Sequence, residues 1–229
     1  LARPTRAWGI RAPGARGCGR AVRGRGPPGR GRHEGHDRAS GRSWDQAFAP
    51  PVLADGDLLI SQTANILQYL APKLGLASGD EVGRLAANAL QLTLADLVDE
   101  AHNTHHPLAP HLYYEDQKEA AKLYTGHFLS HRMGKYLGYF EGVVSGDGFL
   151  VGGAHAYPDL SMFQVLEGLN YAFPRAMSDW CRRYPALARL GERVRARPRL
   201  AAYLGSPRRL AFNETGIFRH YPELDQDPA

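Results

Sequence analysis

At 229 residues, with 43% apolar and 22% charged side chains, the chain can bury a core and fold as one large or two small domains. Its net charge of +5 points toward nucleic acid, but the distribution does not. Residues 1–48 hold 11 Arg and no Lys against Glu34, Asp37 and Asp45, whereas the remainder carries 17 basic and 20 acidic residues. Two cysteines, Cys18 and Cys181, are too few for a disulfide framework. No apolar run is long enough to cross a bilayer, and the first 30 residues lack the apolar stretch of a secretory signal. The chain opens on Leu1, which reads as a fragment, a processed product or a mis-assigned start. A cytoplasmic protein without membrane contact is the expectation.

Residues 1–46 differ in kind from the rest. Between Gly9 and Gly41 the chain is mostly Arg, Gly, Pro and Ala, with Ile10 and Val22 as its large apolar residues, and all 11 tyrosines lie after residue 48. Such a segment cannot bury enough apolar surface to offset its ordering entropy, so disorder is expected. Three readings are open. An Arg/Gly arm would bind RNA through phosphate charge. An organelle-targeting extension would explain the absence of acids before Glu34, but the lack of Ser before Ser40 argues against it. A GC-rich gene read out of frame would yield the same four residue types.

Residues 47–76 predict strand, turn, strand and helix. Pro51-Val52-Leu53-Ala54 is a strand, Asp55-Gly56-Asp57 a tight turn and Leu58-Leu59-Ile60 an antiparallel partner. Ser61-Gln62-Thr63 opens a helix with apolar positions Ile66, Leu67, Tyr69 and Leu70, which stops near Pro72 and Gly75. Residues 80–206 read as helical. One helix covers 81–106, with Leu85, Ala89, Leu92, Leu97, Val98 and Ala101 at near-helical spacing. A second covers 115–142, with Leu129, Met133, Tyr136, Leu137 and Phe140 along one stripe. A glycine-rich loop carries the apolar insert Phe149-Leu150-Val151. The next helix, from about Tyr157 to Tyr171, is apolar around most of its girth, which predicts a central position. Further helices are expected to start near Pro174, Pro185 and Pro198.

This order of motifs resembles the glutathione transferase superfamily. Pro51-Val52-Leu53, Asp55-Gly56-Asp57 and Ser61-Gln62-Thr63-Ala64-Asn65-Ile66-Leu67-Gln68-Tyr69-Leu70 match the end of its thioredoxin-like domain. Phe149-Leu150-Val151-Gly152-Gly153, Tyr157-Pro158-Asp159-Leu160 and Tyr184-Pro185-Ala186-Leu187 through Leu204 match its helical domain. The resemblance covers 47–209. It implies an α/β plus all-α fold: an incomplete or atypical thioredoxin-like N-terminal domain, of which 47–76 is the remnant, then an all-helical C-terminal domain over 80–206 and a tail over 207–229. It further implies that Pro51 is a cis-proline with a structural role, and that Gln62 and Thr63 bind the γ-glutamyl end of glutathione, with Thr in place of the usual Ser. Pro50 stands where the family pairs its backbone with the cysteinyl part of glutathione, yet proline has no N–H to give. Only its carbonyl remains for that role. Asp159 is implied to be the structural half of a capping box whose other half, normally Ser or Thr, is Ala156 here.

His102, His105 and His106 lie on one side of a helix end, with His111 following. Their spacing can ligate zinc, but no fourth ligand is apparent, and the reading assigns no metal. By resemblance, His102, His106, Tyr113 and Tyr114 shape a pocket for an electrophilic co-substrate, while Tyr113-Tyr114-Glu115-Asp116 also suits the start of the next helix. The tail from Phe212 to Asp225 is expected to fold back over the helical domain.

Glutathione is implied as a co-substrate, a small electrophile as the second substrate and a homodimer as the assembly, with no bound cofactor. The alternative is a non-catalytic interaction domain whose basic arm binds RNA. The family's thiolate-stabilising Tyr, Ser or Cys belongs near the end of the first strand, where only Thr5 and Cys18 are chemically eligible, so no catalytic residue is named. Fifty residues precede Pro51, the length of the missing family elements, so length is kept while the residue pattern is lost. Hydrogen exchange on the purified chain should be fast throughout 1–46 and slow through 157–171. Protected amides between Trp8 and Val22 would contradict this and reopen the search at Thr5 and Cys18.

Overall fold

The computed structural model describes residues 47–144 and 146–227. The Arg/Gly-rich segment, including Thr5 and Cys18, lies outside them. The chain divides into two compact units at Leu70–Ala71.

The first unit holds a hairpin and the start of a helix. Strand β1 (Val52–Asp55) pairs antiparallel with β2 (Leu58–Ser61), Val52 opposite Ser61 and Asp55 opposite Leu58, so Gly56-Asp57 forms a two-residue turn. Among the described residues this sheet has two strands. The Pro50–Pro51 peptide that leads into β1 is cis. Helix α1 (Thr63–Leu74) follows β2 directly, and its Tyr69 hydroxyl donates to Asp55 Oδ2 at 2.8 Å, tying helix to turn. Pro72 sits inside α1 rather than ending it. The helix closes at Gly75, whose φ of 66° lets Leu76 N–H reach Ala71 O at 2.8 Å and Gly75 N–H reach Pro72 O.

The second unit is helical. Helix α2 (Glu81–Asn103) starts on Asp80, whose Oδ1 accepts Gly83 N–H at 2.7 Å. A 3-10 turn (Tyr114–Asp116), α3 (Lys118–His127), a π-helical segment (Phe128–Met133) and α4 (Gly134–Val143) occupy the stretch expected to be one helix. Central α5 (Tyr157–Ala172) packs on α2 and on α7 (Pro185–Arg195), with short α6 (Trp180–Arg183) before and α8 (Pro198–Leu204) after α7. The core is one cluster: Leu90, Leu94 and Leu97 of α2, Phe128 to Phe140, most of α5, then Leu187, Leu190 and Val194. The tail closes it. Phe212 stacks on Tyr171, and Phe218 packs so closely on Gly168 that a Cβ there would overlap its ring.

Four sequence expectations need correction. Helix α2 ends at Asn103, because Thr104 closes a turn onto Ala101 and the chain is heading for Pro107. Its buried stripe is Ala87, Leu90, Leu94, Leu97 and Ala101, while Val82, Leu85 and Leu92 are exposed. An apolar residue at helical spacing marks a face, and this helix has two apolar faces. Residues 174–179 form turns rather than a helix starting at Pro174, because Asp225 from the tail takes Arg175 N–H at 2.8 Å and Ala176 N–H at 3.2 Å, and α6 begins only at Trp180. The π segment widens the 118–143 stretch by one backbone position per turn, a feature without a local sequence signal.

Asp159 is fully buried at the start of α5. Its Oδ2 accepts Ala156 N–H at 2.7 Å and its Oδ1 accepts Leu150 N–H at 2.9 Å. Burial pushes its carboxyl up, against the pull of these two donors. Asp159→Ala strands two buried N–H groups, which should destabilise by about 3 kcal/mol. For a domain of this size that lowers Tm by roughly 6–12 °C. An unchanged Tm with loss of function would instead make Asp159 a catalytic acid.

A second tie joins α2 to the π segment. Arg132 donates to both oxygens of Glu100, Nε at 2.9 Å and Nη2 at 2.6 Å, and Tyr136 donates to the same carboxylate at 2.8 Å. The Arg132 hydrogen bonds hold the Glu100 carboxyl below its ordinary 4.5. A depressed acid stabilises above its unfolded value and loses that contribution as pH falls through the folded one. Both side chains are partly solvated, which limits the pair to about 1 kcal/mol. Glu100→Gln should therefore lower Tm by roughly 2–4 °C at pH 7, with the difference closing in thermal melts as pH drops below about 4.

Candidate functional site

Two constellations stand out, one in each unit. In the first, β2 ends at Ser61 and α1 begins at Thr63, so a single residue must turn the chain from strand to helix. Gln62 does so with φ 70°, and it is the one non-glycine residue with positive φ among those described. Holding an L-residue there costs about 1–2 kcal/mol. Its carbonyl accepts Ile66 N–H at 2.9 Å, which makes Gln62 the N-cap and Thr63 the first helical residue. Ile66, one turn on, is buried and anchors the helix start, while Gln62 and Thr63 are exposed.

The electrostatics of this start favour an anion. The first N–H groups of a helix lack intrahelical acceptors, and the dipole adds partial positive charge. The first turn of α1 contains no acid to neutralise it. Thr63 adds a hydroxyl and Gln62 an amide, so a carboxylate arriving there meets donors of three kinds. Pro50 and Pro51 are exposed before β1, on the same unit. Pro50 can offer only its carbonyl.

The second constellation is the histidine group where α2 ends. His102 lies in the last turn, and His105 and His106 in the turn that follows, stopped by Pro107. The three rings pack mutually, with centroids 4.9, 5.0 and 4.7 Å apart. His105 Nε2 meets the Ile217 carbonyl at 2.7 Å, so that nitrogen carries the proton. Its Nδ1 therefore accepts, and His106 Nδ1 donates to it across 2.5 Å. Burial first, then the charge of Arg219, drives His106 down to about 4. His105 falls to about 3, where burial outweighs the Ile217 bond. His102 is lowered by burial too. All three are neutral at pH 7.

Around them, Gln117 is buried and holds the intervening loop, accepting Leu108 N–H at 3.0 Å and donating to Leu112 O at 3.3 Å. Tyr114 is buried, stacks on Tyr221 with centroids 3.8 Å apart and donates to Glu223 at 2.9 Å. Tyr113 is 74% exposed and stands outside the ring stack. The structure thus brings His102, His105 and His106 together, with Tyr114 held by the tail. His111 takes no part in the ring stack.

The family model "Glutathione S-transferase, C-terminal domain" matches residues 102–207. The matches to known proteins support a place in the glutathione transferase superfamily, with the C-terminal domain matched directly. A glutathione S-transferase of Plasmodium yoelii yoelii is 22% identical over 132 residues, 57% of this chain and 56% of that protein. That of Plasmodium falciparum (isolate 3D7) is 22% identical over 162 residues, covering 67% and 68%. The chain thus spans about half the length of the first relative and two-thirds of the second. Among solved structures, prostaglandin synthase D of Nilaparvata lugens aligns with a TM-score of 0.57 at 20% identity, covering 69% of this chain and 74% of that one. The Onchocerca volvulus Pi-class glutathione S-transferase aligns at 0.53 and 22% identity, covering 68% and 69%. These likenesses bear on the fold alone: the described hairpin and helix fit the end of an incomplete or atypical thioredoxin-like domain, and a helical domain follows. The family uses glutathione as a co-substrate and not as a bound cofactor. No helix among the described residues is long and apolar enough to cross a membrane.

Sequence reasoning missed the tail's part in this region. Ile217, Tyr221 and Glu223 reach the histidines and Tyr114 across more than a hundred residues, and only the aromatic spacing of the tail hinted at a return. The positive φ of Gln62 also had no signal of its own. The abrupt junction between an alternating strand and a helical period was its trace.

Proposed function

We propose that this glutathione transferase relative joins glutathione to small electrophiles, with Gln62 and Thr63 holding the γ-glutamyl carboxylate. The observation that carries this reading is the strained Gln62 at an acid-free, exposed helix start directly after the hairpin. A strained φ held by a strand on one side and a buried helix anchor on the other is a device for presenting donors, and strain of this kind concentrates at ligand clamps. Pro51 sets the entry to β1, and the Pro50 carbonyl accepts from the cysteinyl part of the tripeptide. In the reaction, the glutathione thiol loses its proton and the thiolate sulfur forms a carbon–sulfur bond, either as a leaving group departs with its bonding pair or, in an addition, as the displaced π pair takes up a proton. Thiols ionise near 8.5, so a donor aimed at sulfur is required, and the residues eligible for it lie outside those described.

On the helical unit, His102, His106 and Tyr113 are assigned to the electrophile pocket. The exposed stripe of Val82, Leu85 and Leu92 on α2 supports a homodimer, since an apolar stripe of this kind is normally covered. Domain limits of 47–76, 80–206 and 207–229 accompany this reading, as do a cytoplasmic location and a role in detoxification.

A glutathione-affinity column tests it. The full chain should be retained and released by free glutathione. Thr63→Ala should weaken glutathione binding by about 10- to 150-fold, the worth of one hydrogen bond to a charged group, with Tm nearly unchanged. Binding untouched by that substitution would overturn the site assignment, and flow-through of the wild type would overturn the glutathione reading itself.

A further inference from the structure

We infer that His102, His105 and His106 form a three-histidine site for a divalent zinc-like ion, with its fourth position open to water. The inference does not depend on Gln62 and Thr63 binding glutathione, and it makes His102 and His106, assigned above to the electrophile pocket, metal ligands. Three features carry it. First, each ring offers one nitrogen, and the three lie within 4.8 Å of one another. Three imidazoles bound to one tetrahedral zinc at about 2.0–2.1 Å place their ring centroids roughly 5 Å apart, and here the separations are 4.7 to 5.0 Å. Second, His105 already has the outer-sphere partner of a metal ligand. Its Nε2–H is fixed on the Ile217 carbonyl, which points the Nδ1 lone pair inward and enforces the tautomer that coordinates. Third, His105 and His106 are buried and the Tyr221 ring stands against His105, so these rings are held in place before any metal arrives.

The rearrangement must bring nitrogens that lie up to 4.8 Å apart to the spacing of one zinc tetrahedron, and its proton count balances. His105 Nδ1 and His106 Nδ1 share one proton across 2.5 Å. On metal entry that proton leaves His106 Nδ1 and the ring takes one from water at Nε2, so no net proton is lost. The two nitrogens then part to about 3.3 Å, the edge of a zinc tetrahedron. Every group around the site bears on its charge. Asp99, one turn before His102, favours a cation, while Arg219 opposes one. Arg219 is turned toward Gly216 O at 2.9 Å, and Tyr221 faces His105 with its ring. The donor set is all imidazole, which suits zinc, cobalt, nickel or copper and not magnesium or calcium. The affinity should therefore lie below that of thiolate-containing zinc sites.

Titration of the full chain with Co²⁺, read by visible absorption, tests the site, with Zn²⁺ competition as a second readout. One equivalent with the intense bands of a tetrahedral ion is expected. His102→Gln and His106→Gln should each weaken it by about 100-fold or more, beyond what loss of an outer-sphere partner produces. His105→Gln should do the same; because it removes a buried ring, the two other variants decide the question if it does not fold. The double variant His127→Gln/His131→Gln, which removes an exposed histidine pair on the neighbouring helix, should leave the spectrum unchanged. Excess Zn²⁺ should raise the Tm of the wild type and of that control, but not of His106→Gln. Octahedral-type spectra, binding that survives His102→Gln and His106→Gln, or no binding with metal in excess would each overturn the proposal.

Discussion

The helical unit depends on carboxylates that satisfy backbone N–H groups at places where the local sequence supplies no cap. Asp159 is the central case. Ala156 precedes α5 with no side-chain acceptor, so the carboxylate three residues on reaches back to Ala156 N–H and across to Leu150 N–H. One side chain thus fixes both the start of the central helix and the loop that feeds it. The same solution recurs at α7. That helix begins at Pro185 without a side-chain cap, and Glu141 of α4 accepts Ala186 N–H and Leu187 N–H, each at 2.9 Å. It recurs again where Asp225 closes the turn after Pro174. The Glu141 and Asp225 bonds join elements far apart in sequence, so satisfying the orphan donors of one segment also sets the position of another.

This explains which parts of the fold were legible in the sequence. Helices α5, α7 and α8 could be read because Tyr157-Pro158, Pro185 and Pro198 mark first turns, and because the girth of α5 is apolar. The hairpin could be read from Asp55-Gly56-Asp57 between two short apolar runs. Pro174 misled for a physical reason. First-turn proline is a local preference, and Asp225, fifty residues away, decides what the donors after it bind. The stripe on α2 misled similarly. Leu85 and Leu92 have the right period but belong to a face left exposed among the described residues. The π segment at 128–133 answers to packing of Phe128, Leu129 and Met133 into the core, which no window of sequence records.

In the first unit the balance is reversed. Of residues 47–70 only Ile66 is buried, so packing contributes little there. A two-stranded ribbon is marginal by itself. What sets its geometry is local: a two-residue turn, the Tyr69–Asp55 bond and one residue forced to positive φ. Such a unit is legible in sequence element by element. The strain at Gln62 is not, because glutamine carries no preference for that conformation. It is imposed by a strand and a helix that leave one residue between them.

The histidine group shows how the tail completes a site that the helix alone does not define. Without Ile217, either nitrogen of His105 could carry the proton, and the His105–His106 contact would have no fixed direction. The carbonyl places the proton on Nε2, which makes Nδ1 the acceptor and His106 the donor. Burial and Arg219 then favour the uncharged rings, with His106 at about 4 and His105 at about 3. Because these values lie below 6.5, the unfolded chain binds protons before the folded one does. The cluster stabilises above that pH and works against the fold as acid is added. Three adjacent histidines would repel one another if charged. By holding them neutral and orienting one of them, the tail turns a local sequence repeat into an ordered set of lone pairs, with Phe218 on Gly168 and Phe212 on Tyr171 fastening that tail to the central helix.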